Sequence, residues 1–409
     1  MESVIILWLL SFITMLGIGL IAPLMSKYAQ SIGATNFEIG VIFGSFAIAR
    51  TIAQIPVSYF SDKYGKKIFL LIGTFFYGVF TIMYPFVNSV FQLMILRTLN
   101  GIFSSFINPV AGAYVATVAP KEKLGEYMGL FNSAVSLGFS MGPLIGGIMA
   151  EYYGMKAPFY FCGLLSFISF IICYFKLKNI RVNKDGSFTY LSKLIVKHNK
   201  PSNKKSFSLE FLKNRCFLFA CTINTLYIIV STGIIAYLAI YASNFHMGLD
   251  QIGILIASTN LTSGALQKKF GKIFDSSTIY GNFTLYGGLL LGALGLYMVS
   301  MLNSLITFSS IFSPFIWMFI ALEILAIGGA MCSPAINSLA MKDIDNEKKG
   351  MAMGLFTTSL NVGMFLGAIL LGFLADLFGL SNMYKISAIA LALTGIYSYF
   401  FIKKYKNKK

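Results

Sequence analysis

The sequence predicts an all-α polytopic membrane protein. Apolar residues fill 56% of its 409 positions and charged ones 11%, and the mean hydropathy is +0.74. A soluble chain of this length needs far more polar residues to cover its surface. Apolar runs of about 18 or more residues recur from end to end, each long enough to cross a hydrocarbon core of roughly 30 Å. Backbone groups in lipid must be satisfied within their own segment, and these runs are too long and continuous for barrel strands, so the segments are read as helices.

Twelve spans are expected, near 4–25, 37–60, 68–87, 90–117, 127–150, 157–176, 214–240, 251–270, 279–301, 312–338, 351–374 and 383–402. The first run lacks a basic region and a small-residue cleavage site and is read as a retained helix, not a signal peptide.

The formal charge of +17 would suit nucleic acid if it were spread over one surface, but its placement argues against that partner. Of the 32 Lys and Arg, 27 lie on one set of alternate loops with their flanking helix ends and the C-terminal tail, 11 of them from Lys176 to Arg215 around the sixth-to-seventh loop. The other side carries Lys27, Lys156 and Lys385. This asymmetry places both termini in the cytoplasm of a multi-pass protein of the plasma membrane, with basic loops that can also rest on anionic lipid. The five cysteines sit in or beside spans without metal-ligand or pairing spacing and read as small packing residues.

The chain is written twice. Residues 128–154 align without gaps to 353–379, with 9 of 27 positions identical at a constant offset of 225. A second ungapped match, offset by 213, sets 38–62 against 251–275 and pairs Gln54 with Gln267 and Asp62 with Asp275. Two six-helix halves in the same orientation are inferred, 1–176 and 214–409, joined by a basic cytoplasmic linker at 177–213. Parallel repeats of this kind build transporters with a substrate site near the bilayer midplane, between the halves.

Several motifs resemble those of the major facilitator superfamily, and the resemblance spans essentially the whole chain. The loop after the second span, SYFSDKYGKK, is similar to the family's G-x-L-x-D-[RK]-x-G-[RK]-[RK] motif at Asp62, Lys63, Gly65, Lys66 and Lys67, with Ser58 and Phe60 replacing the usual glycine and leucine. In the second half, Gly271 and Asp275 remain and the basic residues are lost. The resemblance implies that Asp62 belongs to a charge network that breaks as the halves rock. Arg97 and Gly101 match the family's embedded arginine–glycine motif. Gly138, Gly142, Pro143, Gly146 and Gly147 match its antiporter motif, which is also what close small-residue helix packing would produce. The ending GIGLIAP of the first span is reminiscent of the drug-efflux branch.

Three charges lie well inside spans: Arg50, Arg97 and Glu323. Each costs about 2.5–3.5 kcal/mol at a helix centre unless it finds a partner or a hydrated cavity. Arg50 lies 12 residues before Asp62, about 18 Å from the cytoplasmic end of its helix. Its repeat counterpart is Ser263, and Arg97's is Leu322, so both arginines are single-copy. Arg50 could hold an anionic substrate, neutralise Glu323 or form a structural ion pair. Arg97 shares a face with Gly101, Ser104 and Asn108, with Asn100 at its edge, a face expected to be hydrated. By resemblance it lines a cavity and facilitates proton transfer, and a structural hydrogen-bonding role is the alternative. Glu323, the sole acid expected to be buried within a span, is the candidate proton-coupling group, since a carboxyl there can alternate between charged and neutral forms. Further polar candidates are Asn132, Ser136, Asn224, Tyr227, Ser231, Asn260 and Asn361.

The expected function is alternating-access secondary active transport, as a proton-coupled efflux antiporter of small organic compounds such as drugs or metabolites. An organic-anion symporter or facilitator is the alternative, and a transporter-like membrane sensor a further one. No nucleotide loop, metal cluster or nucleophile constellation suggests an enzyme. The expected partners are a small-molecule substrate, protons and the bilayer, with no cofactor, metal or nucleic acid, and the chain is expected to act as a monomer.

Overall fold

The computed structural model describes residues 2–120, 123–182, 188–191, 214–276, 278–304, 313–341, 344 and 349–406. Within it the chain is almost wholly helical: α1 (Glu2–Ser31), α2 (Asn36–Tyr64), α3 (Lys66–Met83), α4 (Val90–Ser104), α5 (Asn108–Val118), α6 (Leu124–Tyr153), α7 (Ala157–Lys176), α8 (Arg215–Ser243), α9 (Leu249–Ser276), α10 (Thr278–Ser300), α11 (Pro314–Met341) and α12 (Lys349–Lys406). Ten of the described helical segments are long and apolar enough to cross a membrane. They differ from the twelve expected spans at two places. Helix α9 carries Asn260, Thr262, Ser263, Gln267 and three lysines, which lower its hydropathy, and the last segment runs 52 residues as one. That segment breaks at Gly379, whose φ of 78° divides α12 into two arms. Gly154, the repeat equivalent of Gly379, has φ 88° and ends α6 in the same way. Only glycine takes this conformation at no steric cost.

Contacts divide the chain into two compact units, one of Met1–Gly33 with Ser45–Phe207 and one of Ala34–Gly44 with Ser208–Lys409. The first nine residues of α2 thus pack with the second unit, although the repeat assigns the whole helix to the first half.

The first unit is organised by backbone contact between α1 and α6. A Cβ on Gly142 would stand 2.6 Å from the Leu16 carbonyl, and one on Gly146 2.7 Å from that of Leu20, while Gly138 faces the Phe12 carbonyl. Glycines four apart form one stripe, so the motif shared with antiporters is here the face on which α6 meets α1. The second unit repeats the device: Gly363 and Gly367, at the same offset of 225, face the carbonyls of Thr225 and Ile229 on α8. Helix α4 crosses α2 at Gly101, which faces the Phe46 carbonyl. The chain then unwinds through Ser105–Ile107 and restarts as α5, with Pro109 in its first turn, where a missing N–H costs nothing.

The linker holds structure that composition did not suggest. Asn179–Val182 pairs antiparallel with Phe188–Leu191, and Tyr114 donates its hydroxyl hydrogen to the Lys178 carbonyl at 2.8 Å. The rest of the expected linker lies outside the described residues.

The α1–α6 stripe yields a stability test. Gly142→Ala is expected to lower stability by about 1–3 kcal/mol, because its methyl meets backbone. Gly129, with nothing within 4 Å of its Cβ position, is expected to accept alanine neutrally or with a gain of up to about 1 kcal/mol. Thermal unfolding of both variants in detergent checks the difference.

Candidate functional site

In the first unit the two intramembrane arginines approach one tyrosine. Arg97 is 3% exposed, and its guanidinium carbon lies 4.3 Å from the centre of the Phe46 ring, a cation–π geometry suited to a planar cation. The Tyr77 hydroxyl on α3 is within electrostatic reach of both Arg97 and the half-buried Arg50, and Tyr84 and Cys162 are also near Arg97. Arg50 has no ion-pair partner among the described residues. Asn100 is spent within the unit, donating to Thr81 Oγ1 at 3.0 Å and to the Tyr77 carbonyl at 3.3 Å. The buried face of α4 that carries Arg97 and Asn100 is therefore lined by the first unit's own side chains. Asn108, at the start of α5, is 8% exposed and neither amide atom has a partner among the described residues. Asn132 and Ser136 lie one turn apart on the exposed face of α6.

In the second unit the polar candidates divide into two sets. Asn224 joins α8 to α12 by donating to Ser359 Oγ at 2.9 Å, so packing uses its amide. Asn361 is half-buried on the same arm of α12. The other set lies along α8, α9 and α11. A Cβ on Gly329 would stand 2.6 Å from the Tyr227 hydroxyl and 3.9 Å from Ser263 Oγ, and one on Gly271 3.6 Å from Pro334 Cβ. Ser231 stands beside the Tyr227 hydroxyl. The pairs Ser263–Gly329 and Gly271–Pro334 differ by 66 and 63 positions, so α9 and α11 run parallel, with a register that slides along their length. Asn260 and Glu323 stand on these same two helices, three residues before Ser263 and six before Gly329. Asn260 Nδ2 and Glu323 Oε1 are both buried without a hydrogen-bond partner among the described residues. A buried polar atom left unmatched costs about 1–3 kcal/mol, more for a charged group, and such orphans are suited to a ligand or a proton.

The loop motif is built around Gly65. Its φ of 101° and the Asn179 side chain packed against its Cα leave no room for a side chain. Asn179 Oδ1 accepts from the Lys67 backbone N–H at 3.2 Å at the start of α3. Lys67 Nζ donates to the Tyr174 carbonyl at 2.6 Å, Lys63 lies over the Tyr64 ring, and the buried Lys66 pairs with Asp62 one turn back. In the second half Gly271 packs near Pro334, and the side chain of Asp275 lies outside the described residues.

The profile of the Major Facilitator Superfamily matches residues 7–342 and 296–409. An uncharacterised MFS-type transporter of Methanocaldococcus jannaschii is 49% identical over 403 residues, covering 98% of this chain and 99% of that one. The chain belongs to the major facilitator superfamily. It is a multi-pass membrane transporter, not an enzyme, of a family that binds small-molecule substrates within the membrane. The quinolone resistance protein NorA of Staphylococcus aureus is 25% identical over 417 residues, covering 100% of this chain and 98% of NorA. Among solved structures, the nucleoside transporter NupG aligns with a TM-score of 0.79 at 11% identity over 97% of this chain and 98% of NupG. A bacterial homologue of the human lysosomal transporter Spinster aligns at 0.76 and 13% identity over 98% and 96%. At those identities the likeness shows the fold alone.

Sequence reasoning named the charges and missed their surroundings. Tyr77, Tyr84 and Cys162 were unremarkable among many aromatic and apolar residues, and only the fold brings them to Arg97. Asn179, hidden in a basic linker, carried no signal.

The Asn179 contact is testable: Asn179→Ala is expected to weaken the start of α3 by about 1 kcal/mol and to speed amide exchange at Lys67 and at 177–182. Hydrogen exchange read by mass spectrometry checks both.

Proposed function

We propose that this transporter is a proton-coupled antiporter that exports small organic compounds by alternating access, with Glu323 as the proton-coupling group. The observation that carries the reading is the buried Oε1 of Glu323, which has no hydrogen-bond partner among the described residues. In the apolar interior a carboxylate is held only if something compensates its charge. Proton and substrate competing for that compensation is the minimal chemistry of exchange. Asn260, Tyr227 and Ser231 supply further hydrogen-bonding groups on α8 and α9 of the same unit. The full-length similarity to NorA supports export of drug-like compounds. In this reading the protein is a monomer of the plasma membrane with cytoplasmic termini, its halves are 1–176 and 214–409, and Asp62 and Asp275 with their neighbours gate the cytoplasmic side.

A second reading, transport of an organic anion, is favoured by Arg50 and Arg97 converging on Tyr77, with Arg50 lacking an ion-pair partner among the described residues. A guanidinium can hold a carboxylate or phosphate through two parallel hydrogen bonds.

Flux in proteoliposomes separates the two. Under the first reading, Glu323→Gln abolishes transport driven by a pH gradient and spares substrate exchange. Proton-driven flux unchanged in that variant would falsify the assignment. Under the second, Arg50→Ala weakens half-saturation for anionic substrates by about tenfold or more, while neutral or cationic substrates retain theirs.

A further inference from the structure

The start of α2 is capped twice. Locally, Thr35 and Glu38 form a reciprocal box: the Glu38 N–H donates to Thr35 Oγ1 at 3.2 Å, and the Thr35 N–H donates to Glu38 Oε2 at 2.9 Å. The Ile39 N–H reaches the Thr35 carbonyl. That leaves two donors of the first turn, the N–H groups of Asn36 and Phe37. Both are taken by a carboxylate far away in sequence: Asp376 Oδ1 accepts from Asn36 N at 3.1 Å and from Asn36 Nδ2 at 2.8 Å, and Oδ2 accepts from Phe37 N at 2.8 Å. A negative charge at a helix N-terminus is also favoured by the helix dipole.

Beneath this cap, the same stretch of α2 lies against the first arm of α12 with almost no side chain between them. Gly40 faces the Ala368 carbonyl, and a Cβ on Gly372 would stand 2.5 Å from the Asn36 carbonyl. The fully buried Tyr237 of α8 closes the seam, its hydroxyl lying 2.7 Å from the Ala368 carbonyl and 3.1 Å from that of Asn36. All of these residues belong to the second unit, whereas α2 continues from Ser45 as part of the first. The buried seam sets the register, and the exposed carboxylate ties its end. Charged hydrogen bonds at an exposed site trade with water at small net cost, and the Thr35–Glu38 box stays with the helix when Asp376 lets go. The repeat keeps the pattern: Gly147 and Glu151 stand at the 225-residue offset from Gly372 and Asp376.

We infer that Asp376 is a positioning residue of the transport cycle. It latches residues 34–44 of α2 into the second unit, and their release as a preformed helix end opens the membrane face on which Asn36 and Asp376 lie. The inference rests on the alternating-access reading and adds a gate residue to it.

Hydrogen exchange of the purified full-length protein in detergent tests it without substrate or proton gradient, so failure of proton coupling leaves the result interpretable. Asp376→Asn keeps the size but offers one acceptor where the carboxylate offers two. In that variant, amides of 38–44 are expected to exchange about tenfold faster than in the native protein, while the buried core of the second arm of α12 (383–391) is unchanged. Asp376→Glu restores the native rate. Gly40→Ala, which drives a methyl into the Ala368 carbonyl with Asp376 intact, speeds the same amides. The inference is overturned if only Asn36 and Phe37 respond, as a frayed cap would, if 383–391 loosens equally, or if glutamate fails to rescue.

Discussion

Helices in this protein approach one another at glycines that face carbonyl oxygens, and this close backbone contact is the constraint on which the rest depends. In lipid, burying apolar surface between helices gains little, because the solvent is as apolar as the side chains. Association has to come from close packing. The stripes at Gly138, Gly142 and Gly146 and at Gly363 and Gly367 each fix a helix pair in one register, since a shift along the axis would bring a side chain against a carbonyl. A scaffold fixed in this way can hold polar groups at defined depths. Arg97 over Phe46, and the buried Glu323 Oε1, are such groups.

The same contact appears in a second role at α2. Gly40 and Gly372 let backbone meet backbone, but the seam ends at exposed charged hydrogen bonds from Asp376. The stripes within α1–α6 and α8–α12 rest on glycines set directly against backbone carbonyls. A seam tied by exposed polar bonds is suited to opening, and one tied by buried packing along its whole length is suited to remaining closed.

Much of this was legible in the sequence because membrane proteins declare themselves through composition. The long apolar runs gave the helices, and the repeat related Gly154 to Gly379, which end their helices alike. Single-copy charge within spans pointed to Arg50, Arg97 and Glu323. What pattern could not convey is direction around a helix axis. Asn100 and Asn224 resembled cavity residues by type and depth, yet both donate to neighbouring helices. Asp376 gave a faint signal, an acid kept in both halves as Glu151 and Asp376. Its meaning required knowing that Asn36 and Phe37 lie beside it. The strand at Asn179–Val182 was obscured by the basic composition around it.

The central claim is that one carboxyl, Glu323, exchanges a proton against substrate. Its most direct test is proton release from purified protein in weakly buffered detergent solution, on adding a compound chosen by its ability to raise thermal stability. The account predicts stoichiometric release from the native protein and none from Glu323→Gln, with the compound still bound. Release of equal size from both, or from neither, would contradict it.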